Sequence, residues 1–162
     1  YTPEACIEGL ARSGAAARRL NVKATPAGGT LLDDCYNANP GSMAAALETL
    51  GALAAGRRAV AVLGDMLELG AEESEAHTQL GVDAARLGGE SLFFGPRSRL
   101  GVEAARRAGR PGARHTESVE ELAGWMRELD GKDVVFLVKG SRGMKMERLV
   151  AALVGEAPAS GH

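Results

Sequence analysis

The sequence predicts an α/β fold: a doubly wound, mostly parallel sheet with helices on both faces and an antiparallel hairpin at its N-terminal side. Three observations carry this. Ala59-Val60-Ala61-Val62-Leu63 and Val134-Val135-Phe136-Leu137-Val138 are unbroken apolar runs, the pattern of strands covered on both faces. Around them lie segments with apolar residues at helical spacing, so strands and helices alternate along the chain. Ahead of both, two β-prone runs flank Pro26-Ala27-Gly28-Gly29, the mark of a hairpin. With 162 residues, 45% of them hydrophobic and 25% charged, the chain can bury one core and keep a water-facing surface.

Each element has a local reason. Thr2 and Pro3 supply a cap and a first helical residue, and Ile7 and Leu10 an apolar edge, for a helix stopping near Gly14. Residues 1–14 are read as the end of a preceding domain and its linker. Leu20–Lys23 and Thr30–Leu32 form the hairpin. Asn39 caps and Pro40 opens a helix carrying Met43, Leu47, Leu50 and Ala54 inward and ending near Gly56. Glu72, Glu73 and Glu75 make the acidic first turn of a helix that runs to Leu87. Ser91–Phe94 is a short strand, and Pro96 opens a helix to about Ala108. Ser118 and Glu121 form a capping box for a helix bearing Leu122, Trp125, Met126 and Leu129. Met146, Leu149, Val150 and Leu153 define the inner face of a last helix. The domain is expected over 15–154, and the small polar segment 155–162 as a disordered tail.

Composition excludes several classes. The formal net charge is −2 and the basic residues are scattered among acids, which argues against a nucleic-acid groove. No apolar run reaches the ~20 residues of a membrane helix. Cys6 and Cys35 fit neither a disulfide framework nor a metal motif and read as free thiols. The opening is not a signal peptide, so a cytoplasmic location is expected, and a start at Tyr1 reads as a cut within something longer. A G-x-x-x-x-G-K-[ST] phosphate loop, a G-x-G-x-x-G fingerprint, a nucleophile elbow and a zinc signature are all missing from these residues. No metal-ligating set is expected here.

Ligands of an open α/β sheet bind beyond the carboxyl ends of its strands. Four loops qualify: Asp34–Asn39, Gly64–Glu68, Gly95–Ser98 and Lys139–Arg142. Asp33 and Asp34 close a strand, an unfavourable place for two carboxylates unless one is specifically hydrogen-bonded. Such an Asp can hold ribose hydroxyls, with Tyr36 offering an aromatic face and Asn37 a donor and an acceptor. A plain turn accounts for the same residues, since Asn and Asp favour loops and Asn39 already has a capping role. Lys139, Ser141 and Arg142 flank a glycine turn at a helix start, suited to a carboxylate or phosphate, or are merely solvated flanks of that turn. Asp65 and Glu68 could steer a cation or an amine, although loop carboxylates are commonly only solvated. His77 shares a helix side with Leu80 and Ala84 and reads as a packed structural histidine. Cys35, with no histidine nearby in sequence, reads as a small packed residue.

Arg19-Leu20-Asn21-Val22, DDCYNANPGSM (33–43), VAVLGDMLELG followed by His77, and LVKGSRGMKME resemble, in order and spacing, the C-terminal domain of the Mur peptide ligases. The resemblance covers about residues 15–153, and YNANP, GDMLELG and KGSR point to the members that add D-alanyl-D-alanine. It implies a Rossmann-like domain of an ATP-dependent ligase, which joins D-alanyl-D-alanine to UDP-N-acetylmuramoyl-tripeptide through an acyl phosphate in peptidoglycan precursor synthesis. It implies nucleotide contacts from Arg19, Asp34, Tyr36 and Asn37, with Asp34 on the ribose. Ser141, Arg142 and Lys139 would meet the incoming amino substrate and reaction centre, with Asp65 and Glu68 facing the same cleft. ATP with Mg2+ is implied, the metal held mainly by a central domain these residues do not include, so the chain alone is expected to be inactive. Cys35 departs from the Ser common in the family. Two alternatives stand beside this: a noncatalytic nucleotide- or protein-binding module, and the equivalent domain of a folylpolyglutamate synthase-like or murein-peptide-recycling ligase.

Overall fold

A computed structural model of the protein describes residues 20–155. The helix expected before Gly14, Arg19 and the tail after Gly155 lie outside the described residues. The described strands are β1 (Asn21–Ala24), β2 (Thr30–Asp34), β3 (Arg58–Gly64), β4 (Glu90–Phe94), β5 (Arg114–Thr116) and β6 (Val134–Lys139). They form one sheet in the order β1-β2-β6-β3-β4-β5, with β1 antiparallel to β2 and all other pairs parallel. The helices are α1 (Pro40–Ala54), α2 (Glu73–Leu87), α3 (Arg99–Arg107), α4 (Val119–Leu129) and α5 (Glu147–Val154).

Alternate residues of the central strands face opposite layers. Leu32, Ala61, Leu63, Phe93, Val135 and Leu137 pack under α1, α2 and α3. Leu31, Val60, Val62, Leu92, Phe136 and Val138 pack under α4 and α5. Both sides of β3 and β6 are therefore dry, which is why their sequences do not alternate in polarity. A fully buried side chain such as Phe93 or Phe136 contributes roughly 1.5–3 kcal/mol through removal of apolar area from water. α2 and α3 lie so close that a Cβ on Gly81 would sit 2.1 Å from the Gly101 carbonyl oxygen. The hairpin turn is pinned from β6's approach: Thr25 donates its hydroxyl to Asp130, and the Ala27 amide donates to the same carboxylate at 3.1 Å.

Helix starts follow the sequence with instructive exceptions. Asn39 accepts from the Ser42 amide at 2.9 Å while Ser42 Oγ accepts from the Asn39 amide at 3.1 Å, a reciprocal box with Pro40 in the first turn. At α4 only half of the expected box forms. Ser118 Oγ accepts from the Glu121 amide at 3.2 Å, but the Glu121 carboxylate takes the Thr116 hydroxyl instead. The Ser118 amide is satisfied by Thr116 Oγ1 at 3.0 Å, so no returning glutamate is needed. α3 begins at Arg99 rather than at Pro96: the Leu100 amide donates to the Arg97 carbonyl in a tight turn, and the amides of Arg97 and Ser98 ahead of the helix are held by Asp65. Met146 sits just before α5 and is nevertheless fully buried. β5 was not expected: three residues on a sheet edge, Arg-His-Thr, carry no apolar pattern to announce a strand.

Candidate functional site

The topology places a crevice at one point. β2 and β3 both leave the sheet toward the face covered by α1 and α2, whereas β6, lying between them, leaves toward α5. Where neighbouring strands diverge to opposite faces, their carboxyl ends open a cleft. The loops after β2, β3 and β6 therefore converge there.

Strand register then brings two charges face to face. Asp34 ends β2 and Lys139 ends β6, and the two are direct partners across the parallel pair. Lys139 Nζ donates to Asp34 Oδ2 at 2.7 Å and to the Asn37 carbonyl at 2.8 Å. Lys139 is only 2% exposed, a burial that an ammonium tolerates when it is paired and hydrogen-bonded. Asp33, one residue earlier, points to the other side and pairs with Lys23 at 3.7 Å.

Ser141 joins all three loops. Its Oγ accepts from the Leu67 amide at 2.8 Å and donates to the Ala38 carbonyl at 3.3 Å, and its own amide donates to the Asp65 carbonyl at 3.0 Å. Gly64 and Gly140 make this approach possible. A Cβ on Gly140 would lie 3.1 Å from the Gly64 Cα and 2.8 Å from the Met146 Cγ.

Asp65 departs from the expectation of a carboxylate facing the cleft. It is wholly buried and turned inward, accepting from the Arg97 amide at 3.1 Å, and from the Ser98 amide and hydroxyl at 2.7 Å each. It ties the β3 loop to the start of α3, and its oxygens are occupied by that task. Arg97 closes the cluster by donating to Glu73 at 2.7 Å, a contact that, with the nearby Asp65, raises the already high pKa of the guanidinium. His77 is packed as expected and is also hydrogen-bonded: Nδ1 meets the Glu73 carbonyl at 2.7 Å, and Nε2 accepts from the Met66 amide at 3.0 Å. Burial first, then the Asp33 carboxylate, pushes the Cys35 thiol far up, and Sγ donates to the Val138 carbonyl, so this cysteine is unreactive packing.

What faces water is a shorter set. Tyr36 is 55% exposed, and the Arg142 guanidinium lies 5.6 Å from its ring centroid, bridging the β2 and β6 loops. Asn37 is exposed, its Oδ1 accepting from the Ala38 amide at 2.8 Å. Glu68 is exposed with φ of 62°, a left-handed conformation uncommon for a residue with a side chain. The structure thus brings Asp34, Tyr36, Asn37, Lys139, Ser141 and Arg142 together, keeps Glu68 on the adjoining loop and withdraws Asp65. Sequence reasoning missed the anchoring parts of Ser98 and His77, which only long-range contacts reveal.

A doubly wound domain with polar loops gathered at the switch of its sheet is the architecture of a ligand-binding α/β domain. Residues 18–142 match the Mur ligase, glutamate ligase domain, and the chain belongs to the Mur ligase family. It is 36% identical over 152 residues to the UDP-N-acetylmuramoyl-tripeptide–D-alanyl-D-alanine ligase of Escherichia coli, covering 94% of this chain and 33% of that protein. The ligase of the same name from Bacillus subtilis is 32% identical, with 98% and 35% covered. Among solved structures, MurF from Acinetobacter baumannii superposes with a TM-score of 0.71 at 33% identity, over 85% of this chain and 30% of that one. MurF ligase from Thermotoga maritima in complex with ADP gives 0.69 at 26% identity, with 85% and 30% covered. The chain spans about a third of the length of the curated relatives it matches.

Proposed function

We propose that this chain is the C-terminal, nucleotide- and amino-substrate-binding domain of an ATP-dependent ligase that joins D-alanyl-D-alanine to UDP-N-acetylmuramoyl-tripeptide. The observation that carries the reading is the meeting of the Asp34–Asn37 loop and the Lys139–Arg142 turn across one crevice, with Arg142 over Tyr36. In this reading ATP phosphorylates the terminal carboxylate of the tripeptide. The amine of the dipeptide attacks the resulting acyl phosphate, an amide C–N bond forms, and phosphate leaves. The UDP-sugar and triphosphate grips belong to other domains, and the protein works in the cytoplasm.

The residues divide by what they leave exposed. Asp34 takes ribose hydroxyls, as a carboxylate at the carboxyl end of a strand in a nucleotide-binding sheet can, its two oxygens being acceptors only. Tyr36 and Asn37 line the nucleoside, with Arg19 from the segment before β1. Arg142 meets the dipeptide carboxylate, for which its forked donors are suited. Lys139 and Ser141 hold the two loops at their spacing, and Glu68 flanks the amino group. The ADP bound by the Thermotoga maritima relative supports the nucleotide half. Among the described residues no three His, Cys, Asp or Glu side chains converge to hold a metal; the Mg2+ that accompanies ATP would be held mainly by a central domain these residues do not include. Covering an acyl phosphate with a separate domain suits the chemistry, because water must be excluded while the amine is delivered.

The test is a pair of substitutions in a full-length enzyme carrying this domain. Asp34→Ala raises KM for ATP, and Arg142→Ala raises KM for D-alanyl-D-alanine, each by about tenfold or more for a lost charge-assisted hydrogen bond. Equal losses for both substrates in both variants would refute the assignment.

A further inference from the structure

We propose that His77 is a positioning residue for the amino-substrate half of the crevice, fixing the loop that presents Glu68. The proposal rests on the reading given under Proposed function. The loop leaves β3 at Gly64 and reaches the helical turn at Gly70. Two of its successive amides are held by side chains from different elements. Met66 donates to His77 Nε2 at 3.0 Å, from α2, and Leu67 donates to Ser141 Oγ at 2.8 Å, from the β6 loop. Both acceptors are buried, His77 completely and Ser141 to within 5%. The next residue is Glu68, exposed and at φ of 62°. A non-glycine residue keeps that conformation only where its surroundings over-determine it, and the two anchored amides supply the restraint.

The ring can do this in one form only. A backbone N–H has nothing but a proton to offer, so Nε2 is unprotonated. Nδ1 then carries the hydrogen and donates to the Glu73 carbonyl at 2.7 Å, one turn earlier on α2. This Nδ1–H tautomer is the minor form of a free neutral imidazole, so the protein selects it through the two backbone partners. Glu73 is itself fixed by Arg97, whose amide rests on Asp65. His77 therefore ties the β3 loop to a rigid corner formed by α2 and the β4 loop. A residue serving only to fill the core would need neither bond.

Long-range 1H–15N correlation spectra of the 162-residue chain test this directly. The expected pattern for His77 is a protonated Nδ1 and a bare Nε2, and an Nε2–H pattern or fast tautomer averaging would overturn the proposal. Amide exchange supplies the second reading. H77A should speed exchange of Met66 and Leu67 at least about tenfold while Phe136 in β6 stays protected, as local opening requires. H77Q, whose side-chain oxygen can still accept from Met66, should restore protection to within about threefold. Acceleration spread equally over β6 would mean a merely structural role and would overturn the proposal. Should H77A fail to fold, the tautomer and H77Q decide alone. In a full-length enzyme, H77A is expected to raise KM for the dipeptide about tenfold and leave KM for ATP unchanged. An unchanged dipeptide KM despite the loosened loop would overturn the positioning role. If the spectra and exchange behave as expected but Arg142→Ala leaves dipeptide KM unchanged, the functional reading has failed rather than the anchoring.

Discussion

Replacing Lys139 with methionine removes the charge between the two loops of the crevice while keeping an unbranched side chain of similar length. Deleting one member of a buried ion pair costs about 3–5 kcal/mol, because the survivor is left charged in a poor solvent. Here the side chain of Asp34 is 14% exposed, so water partly compensates it, and the Asn37 carbonyl that also loses its donor sits in an exposed loop. The loss should therefore fall near the lower limit, about 3 kcal/mol. In a domain of this size that is a drop in Tm of about 6–12 °C. The converse substitution, Asp34→Ala, should cost more, since it leaves an ammonium whose side chain is only 3% exposed. The double variant should be less damaged than the sum by about 2 kcal/mol, the signature of residues in direct contact. Urea unfolding of the four proteins by circular dichroism, with a constant m-value, measures all three quantities. A Lys139→Met variant within about 0.5 kcal/mol of the parent, or strictly additive losses, would refute the pair as the element that holds these loops together.

Other substitutions probe neighbouring contacts. Ser141→Ala strands the Leu67 amide and should lower stability by about 1–3 kcal/mol in the same urea assay, with Ser141→Thr less damaging because it keeps the hydroxyl. Gly81→Ala should destabilise by about 1–3 kcal/mol although alanine is the better helix former, since its Cβ would collide with the Gly101 carbonyl; a stabilised variant would contradict the α2–α3 packing. Because burial raises the Cys35 thiol in the folded state, its contribution is complete below the unfolded value of about 8.5 and is lost as pH rises beyond it. Stability should then fall by up to about 1.4 kcal/mol per pH unit above that point, and C35S should flatten this slope in unfolding curves taken from pH 8 to 10. Alkylation of native protein near neutral pH, followed by peptide mapping, should leave Cys35 unmodified.

Local chemistry carried much of the fold. The apolar runs of β3 and β6, the Asn39-Pro40 helix start and the glycine turn of the hairpin each announce their element, because the physics that forms them acts within a few residues. β5 was invisible for the opposite reason: a three-residue edge strand is made by its neighbour, not by its own pattern. The half-formed box at Ser118 shows the same limit, since Glu121 had two possible partners and the turn through Thr116 chose between them.

The crevice divides along that line. Alternating strands and helices, with polar loops at the strand ends, made the loops of Asp34, Tyr36, Asn37, Lys139, Ser141 and Arg142 candidates, a plain turn accounting for them equally well, and the resemblance to the Mur ligases implied their roles. Which of them face outward was decided by the insertion of β6 between β2 and β3. That register sets Lys139 against Asp34 and buries Ser141 among three loops, while the loop after β4 holds Asp65 inward through Arg97 and Ser98, leaving Tyr36, Asn37, Arg142 and Glu68 at the surface. A sequence states which groups each loop owns. Their partners lie up to about a hundred residues away, and only the closed sheet determines whether a polar group meets another loop or the ligand.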